Sequence, residues 1–220
     1  LGVQAAFELA NAVKGEDYYT LSIASVNGGL VTSSSGFAVP TVPIAEVGQV
    51  DTLLLLAGLT PPPRQDEPTL ETLRTIARES RRVAGLCTGA FLLAQMGLLD
   101  GHRATTHWSY ARQMREDFPN VRVEDDRIFI NEGAVWTSAG LTAGLDLAVA
   151  LIEKDLGRDV AGAIARRLVM HHRRAGGQSQ HSELLELAPS SDRIQKAVIF
   201  AKSHLANPLT VEELAEVAAL

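Results

Sequence analysis

The stretch Val83-Ala-Gly-Leu-Cys-Thr-Gly-Ala-Phe-Leu-Leu93 constrains this chain more than any other. A short apolar run with strand character passes directly into a helical pattern there, and the single cysteine stands at the change. Gly85 and Gly89 flank Cys87 in a G-x-C-x-G arrangement, the spacing of an elbow in which flanking glycines let a strand turn sharply and lift the central side chain out of the sheet. The N-terminus of the following helix can also lower a thiol pKa. Cys87 is therefore a candidate nucleophile, and the alternative is an inert packing cysteine.

The run Asp51-Thr-Leu-Leu-Leu-Leu-Ala57 has the length and character of a strand buried on both faces, as in a parallel sheet. Pro61-Pro-Pro63 forces a loop. Residues 67–82 then read as a helix, 83–86 as a strand and 88–99 as a helix, a βαβα order. Upstream, 2–13 has helical spacing, 20–26 reads as a strand, Asn27-Gly28-Gly29 as a turn and 31–39 as a short strand pair. Downstream, 103–106, 121–123, 128–131 and 134–137 read as short strands and 141–156 as an apolar helix. The expectation is an α/β fold, a mostly parallel sheet sandwiched by helices.

The pattern changes after Leu156. Val160, Ile164 and Leu168 form a helical stripe running into the basic cluster Arg166, Arg167, His171, His172, Arg173 and Arg174, either a solvated helix end or a contact for phosphate or an acidic neighbour. Three parts follow: a domain over 1–175, a linker over 176–190 containing Gly176-Gly-Gln-Ser-Gln180, and a small helical unit over 191–220. In the last, Ser191-Asp192 can cap a helix carrying Ile194, Ala197, Val198, Ala201 and Leu205 on one face. Asn207-Pro208 breaks it, and Thr210-Val-Glu-Glu213 is a capping box for another helix with Leu214, Ala215 and Ala218 inward. A unit this short cannot bury a core of its own and is expected to be incomplete.

With 46% apolar residues in 220, the chain can build a full core. One cysteine excludes an intrachain disulfide and points to a reducing compartment, by default the cytoplasm. No apolar run of about 18 residues offers a membrane span. No secretory leader is visible, and since Leu1 is not an initiator methionine the natural start is expected upstream. A net charge of −6 argues against a whole-chain grip on nucleic acid, so any DNA contact is local or lies elsewhere.

The string Leu86-Cys-Thr-Gly-Ala-Phe-Leu-Leu-Ala94, followed by Gly97-Leu-Leu-Asp-Gly101 and Arg103-Ala-Thr-Thr-His-Trp108, closely resembles the ThiJ/PfpI-type domain of GlxA-like transcriptional regulators of the AraC family. Trp136-Thr-Ser-Ala-Gly140, Arg166-Arg-Leu-Val169 and Gly176-Gly-Gln-Ser-Gln180 are similar to later segments of those regulators, and Leu209-Thr-Val-Glu-Glu-Leu-Ala215 to the opening of an AraC-type helix-turn-helix domain. The resemblance implies a class I glutamine amidotransferase-like, flavodoxin-like fold. It also implies a homodimer, a double-stranded DNA operator bound through a C-terminal domain mostly beyond this sequence, and a small nitrogen-containing metabolite as effector. It implies no cofactor, metal or membrane.

The departures bear on catalysis. PfpI-type hydrolases have histidine directly after the cysteine, whereas this chain has Thr88, which cannot act as a base near neutral pH. The His-x-Glu pair of glutamine amidotransferases has one match in spacing, His181-Ser-Glu183, in the expected linker. The acid that relatives present to the cysteine from the first strand and helix has no counterpart before Glu8, and their Gly-Gly oxyanion loop is Ala57-Gly58-Leu59 here. The Cys-Thr pair also resembles that of isonitrile hydratases, which keeps a cysteine-dependent hydratase or hydrolase as the alternative to a non-catalytic sensing or dimerisation domain. The expected pocket, at the carboxyl ends of the parallel strands, is lined by Gly58, Cys87, Thr88, His107, Ser138, Ala139 and Gly140, with His107 either catalytic or structural. Thr210 to Leu220 resembles the supporting helix of a helix-turn-helix, so no base-reading residue is assigned.

Overall fold

Side chains along β5 (Arg82–Leu86) alternate between two apolar layers, and the rest of the first unit is arranged around them. The computed structural model describes residues 2–33, 35–170, 174–177, 179–180, 192–204 and 208–219. β5 lies within a four-stranded sheet of order β4 (Thr52–Leu56), β5, β9 (Val135–Ser138), β8 (Phe129–Glu132), parallel except for β8 against β9. Ala84 and Leu86 of β5, Leu54 of β4 and Trp136 of β9 face a layer built from α1 (Gly2–Lys14), α5 (Leu141–Leu156) and α6 (Arg158–Arg167). Val83, Leu53, Leu55 and Val135 face the other layer, which includes α2 (Glu67–Glu79), α3 (Ala90–Gln95) and α4 (Trp108–Asp117). The period-two alternation of a strand thus supplies both faces of an α/β sandwich, as expected.

Two smaller sheets complete the unit. β1 (Ala24–Ser25), β3 (Ala38–Pro43) and β2 (Gly29–Thr32) form one, and β6 (Arg103–Ala104) pairs with β7 (Arg122–Val123) in the other. The strand expected over 20–26 is reduced to β1. Ahead of the expected strand, Tyr19 is tied to α1: its N–H donates to Asn11 Oδ1 at 2.8 Å, its carbonyl accepts from Asn11 Nδ2 at 2.7 Å, and its ring meets Phe7 edge-on at 4.9 Å. β4 is covered on both faces but ends the sheet order, and Leu56 at its end is 60% exposed. The helix expected over 88–99 is a 3-10 turn, Cys87–Gly89, followed by α3, which stops early because Gly97 (φ 77°) lets Leu98 N–H reach back to Leu93 O at 3.0 Å.

The helix expected over 67–82 ends at Glu79, because Arg82 belongs to the sheet. Arg82 is 4% exposed, and its guanidinium donates to both oxygens of Asp155, whose side chain is 2% exposed, and to Thr52 Oγ1 at 2.8 Å. Tyr19 Oη and Arg81 Nη2 each donate to the same carboxylate at 2.9 Å. Burial acts to raise the Asp155 pKa, but the bonds from Arg82, Tyr19 and Arg81 outweigh it and hold the carboxyl below its usual range. Burial, and then the Asp155 carboxylate, push the Tyr19 phenol up.

Past α6, Arg174 donates to Asp146 through its backbone N–H at 3.0 Å and its Nε at 2.9 Å, so this part of the basic cluster answers an acidic neighbour on α5. His171, His172 and Arg173 lie outside the described residues. The first compact unit ends at Gln180 and the second begins at His181. Gly176, Gly177, Ser179 and Gln180, expected in the linker, carry bonds within the first unit. The remaining linker, 181–190, with its His181-Ser-Glu183 triplet, lies outside the described residues.

In the second unit, α7 (Asp192–Ser203) is followed by α8 (Val211–Val217). The capping box forms as its sequence predicts, with Glu213 N–H donating to Thr210 Oγ1 at 3.2 Å and Thr210 N–H to Glu213 Oε2 at 2.9 Å. Ala197 and Ala218 are buried, whereas Ile194 is 38% exposed. Ser191, Leu205, Asn207 and Leu220 lie outside the described residues. No described helix is long and apolar enough to cross a membrane.

Asp155→Ala leaves the buried Arg82 guanidinium without its counter-charge and is expected to cost about 3–5 kcal/mol, read in urea unfolding. The folded-state pKa of Asp155 is depressed, so its contribution to stability is present above the unfolded-state value and disappears as pH falls through the folded one. A stability loss below about 1 kcal/mol would show that the pair is not held as described.

Candidate functional site

Cys87 follows the last residue of β5 and adopts φ 55°, the left-handed region that a non-glycine residue enters at a cost. The flanking glycines do not carry this strain, contrary to the sequence expectation. Gly89 has φ −61°, and glycine is needed there for space: a Cβ on it would lie 2.1 Å from the Leu55 carbonyl oxygen. A Cβ on Gly85 would lie 2.7 Å from Ala90 Cα, so glycine there lets the turn fold back onto its own strand.

The remaining site residues converge on the carboxyl ends of three adjacent strands. The Thr88 hydroxyl donates to the Gly58 carbonyl at 2.7 Å, tying the elbow to the loop after β4. Ser138 is the register partner of Leu86, which sets Ala139 and Gly140 beside the elbow. His107 reaches the same place from the β6–α4 turn, since a Cβ on Gly140 would lie 3.0 Å from its Cδ2. Thr88, Ser138 and Ala139 are buried, Cys87, His107 and Gly140 half-buried, and Gly58 exposed. Leu59, Trp108 and Leu141, chain neighbours of Gly58, His107 and Gly140, are each more than half exposed. Two clefts of about 610 and 530 Å³, one between residues 44–49 and α2 and one at the end of α1, contain none of these residues.

The proton-carrying groups are mostly committed. Burial pushes the Cys87 thiol pKa up, and the N–H and hydroxyl of Thr88 only partly oppose it. α3 begins at Ala90 and is short, so a helix N-terminus does not rescue the thiolate. His107 Nδ1 accepts from Ser109 N–H at 3.3 Å and lies 2.7 Å from the Ser109 hydroxyl, capping α4. That cap requires the tautomer with its proton on Nε2. Glu8, the first acid of the sequence, is exposed and accepts from Gln4 at 2.9 Å. Among the described residues no three His, Cys, Asp or Glu side chains gather to hold a metal ion.

Sequence reasoning passed over the supports. The Thr106 hydroxyl donates to the Cys87 carbonyl at 2.9 Å, and the Thr105 N–H to Thr137 Oγ1 on β9 at 2.9 Å. Both threonines are 0% exposed. The Thr-Thr-His-Trp string was the available signal, since two adjacent threonines before a cap position leave two hydroxyls that burial obliges to find partners.

Residues 5–154 match the model of the DJ-1/PfpI family. The HTH-type transcriptional regulator GbdR of Pseudomonas aeruginosa is 29% identical over 94% of this chain and 57% of its own length. The isonitrile hydratase of Pseudomonas putida is 35% identical over 63% of the chain and 60% of its own length. The chain thus spans little more than half the length of these curated relatives. The crystal structure of an AraC family transcriptional regulator from Pseudomonas putida shares the fold, with a TM-score of 0.67 at 22% identity over 76% of this chain and 90% of that one.

Because burial raises the Cys87 pKa, its alkylation by iodoacetamide is expected to accelerate with pH along a curve whose midpoint lies above that of a free thiol. A midpoint below neutrality would establish a thiolate and overturn the electrostatic reading.

Proposed function

Because the chain belongs to the DJ-1/PfpI family, we propose that it is the ligand-sensing part of a transcriptional regulator in which the cysteine elbow is a binding feature rather than a catalytic one. The observation that carries this reading is the commitment of the groups that would move protons. Burial pushes the thiol pKa up, the Thr88 hydroxyl donates to Gly58, and His107 Nδ1 caps α4. Nucleophilic catalysis by a thiol needs a base within hydrogen-bond reach or a lowered thiol pKa. What the site offers instead is a strained, half-buried thiol and a His107 Nε2–H beside Gly140, a donor for an acceptor atom on a small metabolite, with the nitrogen-containing class as the expected effector.

The regulator relatives support the same reading, and with it a homodimer that binds a double-stranded DNA operator. The DNA contact falls to a helix-turn-helix of which α7 and α8 are the opening portion; α8 takes the part of the supporting helix. The hydratase relative and the Cys87-Thr88 pair favour a second reading, a cysteine hydratase, which isonitrile turnover that is lost in Cys87→Ala would establish.

In the full-length protein, Cys87→Ala is expected to leave operator affinity within about twofold, since about 0.4 kcal/mol separates such values, while altering the response to effector. Fluorescence anisotropy on operator DNA reads the first, and the effector-dependent shift in melting temperature reads the second. Loss of operator binding at an unchanged melting temperature would contradict this division of labour.

A further inference from the structure

The Gly-Gly-Gln-Ser-Gln motif finds no part in the site as described above, yet its last residue is bonded to both sides of His107. Gln180 Nε2 donates to the Thr106 carbonyl at 3.0 Å, and Gln180 Oε1 accepts from the Trp108 N–H at 3.1 Å. The carboxamide therefore spans the peptide groups on either side of the histidine, much as a neighbouring strand would. The same Nε2 lies 3.1 Å from Thr105 Oγ1 and 2.7 Å from the Asp125 carbonyl. Thr106 in turn donates its hydroxyl to the carbonyl of Cys87, so a chain of bonds runs from the elbow through Thr106 to Gln180.

The other described residues of the motif fasten the strap. Gln180 N–H donates to Asp126 Oδ1 at 2.8 Å, as does the Ser179 hydroxyl at 2.6 Å. Arg127 Nη1 donates to the Gly177 carbonyl at 2.7 Å. At Gly176 a Cβ would lie 2.5 Å from the Phe129 carbonyl oxygen, so only glycine lets the strap lie flat on β8. Gln180 is also the last residue of the first compact unit.

We propose that Gln180 is the readout of the site. Occupancy that displaces His107 breaks the two bonds that bracket it and loosens the strap at the point where the chain leaves the domain. The inference rests on the sensing role given to the elbow and adds how that role is transmitted. His107 cannot turn about its backbone without moving the Thr106 carbonyl and the Trp108 N–H, and both are held by one side chain. A ligand with different affinity for the clasped and released arrangements shifts their populations by that difference.

The test uses iodoacetamide, whose acetamide group occupies the elbow once the Cys87 sulfur has displaced iodide and lost its proton to buffer. Amide hydrogen exchange is followed at Trp108, Gln180 and the α5 amides in the wild type and in Gln180→Ala, each before and after alkylation. In the wild type, alkylation is expected to speed exchange at Trp108 and Gln180 by about fivefold or more, the worth of a net hydrogen bond, with α5 unchanged. In Gln180→Ala the Trp108 amide exchanges fast from the outset and alkylation adds nothing. Unchanged exchange at Trp108 and Gln180 in the alkylated wild type would overturn the proposal, as would a Trp108 amide in Gln180→Ala that stays protected and still responds. Operator binding is measured separately: a full-length protein that ignores operator DNA ends the regulator reading but leaves a responsive clasp standing, whereas an unresponsive clasp in a protein that binds operator ends only this inference.

Discussion

Between Gly89 and the carbonyl oxygen of Leu55 there is room for a hydrogen and nothing larger, since a Cβ would stand 2.1 Å from that oxygen. This approach holds the elbow hard against the end of β4, and much of the site follows from it. It brings the Thr88 hydroxyl within 2.7 Å of the Gly58 carbonyl. With Gly89 pinned on one side and β5 fixed by its neighbours on the other, Cys87 is left the residue that must take φ 55°. Strain of that kind costs on the order of 1–3 kcal/mol and persists only where the surroundings over-determine it. Here they do, through a fully buried Thr88 and a Cys87 carbonyl held by the Thr106 hydroxyl.

The opposite end of the same strands solves a different problem. Arg82 opens β5 with a charge inside the protein, and Asp155 answers it from the end of α5 while Tyr19 and Arg81 occupy the remaining acceptor capacity of that carboxylate. A buried pair of this type adds little over a hydrophobic replacement, but a half-broken one is expensive, so it fixes where α5 ends relative to β4 and β5. The start of α5 is fixed at the site, at Gly140. One helix therefore runs from the site, where it begins at Gly140, to the charge network that anchors its other end.

The sandwich was legible in the sequence because strand and helix periods are local properties. β5 and α5 fall where their patterns place them, and the capping box at Thr210 forms as written. What was not legible depends on partners distant in the chain. The strand expected over 20–26 pairs only where β3 runs beside it, at Ala24 and Ser25, and the end of α2 turned on Asp155 claiming Arg82. At the site, the G-x-C-x-G spacing located the elbow but misassigned the strain, because a glycine needed for space and one needed for a positive φ look the same in a sequence. The strap was misread for a related reason. A Gly-rich polar segment reads as a linker, and only the fold shows that Asp126, Arg127 and Phe129 have backbone or side-chain bonds waiting for it.

A site tuned for catalysis and one tuned for signalling make opposite demands on the same residues. Catalysis gains from groups fixed in advance around the reacting atoms, with free lone pairs or protons where charge develops. Signalling needs an element with two arrangements of similar energy, whose bonds are good enough to define a resting state and few enough to give way. On the sensing reading proposed for this chain, His107 meets the second demand. Its Nδ1 is spent on capping α4, its Nε2 faces Gly140, and its two flanking peptide groups depend on the carboxamide of Gln180. Net hydrogen bonds of this kind are worth about 1 kcal/mol each, so a ligand of ordinary affinity has enough binding energy to exchange them. The elbow beneath, locked by Gly89, Thr88 and Thr106, has no comparable freedom. On the proposed reading the elbow is the floor of the site, and His107, bracketed by Gln180 at the end of the first unit, is the part a ligand would displace.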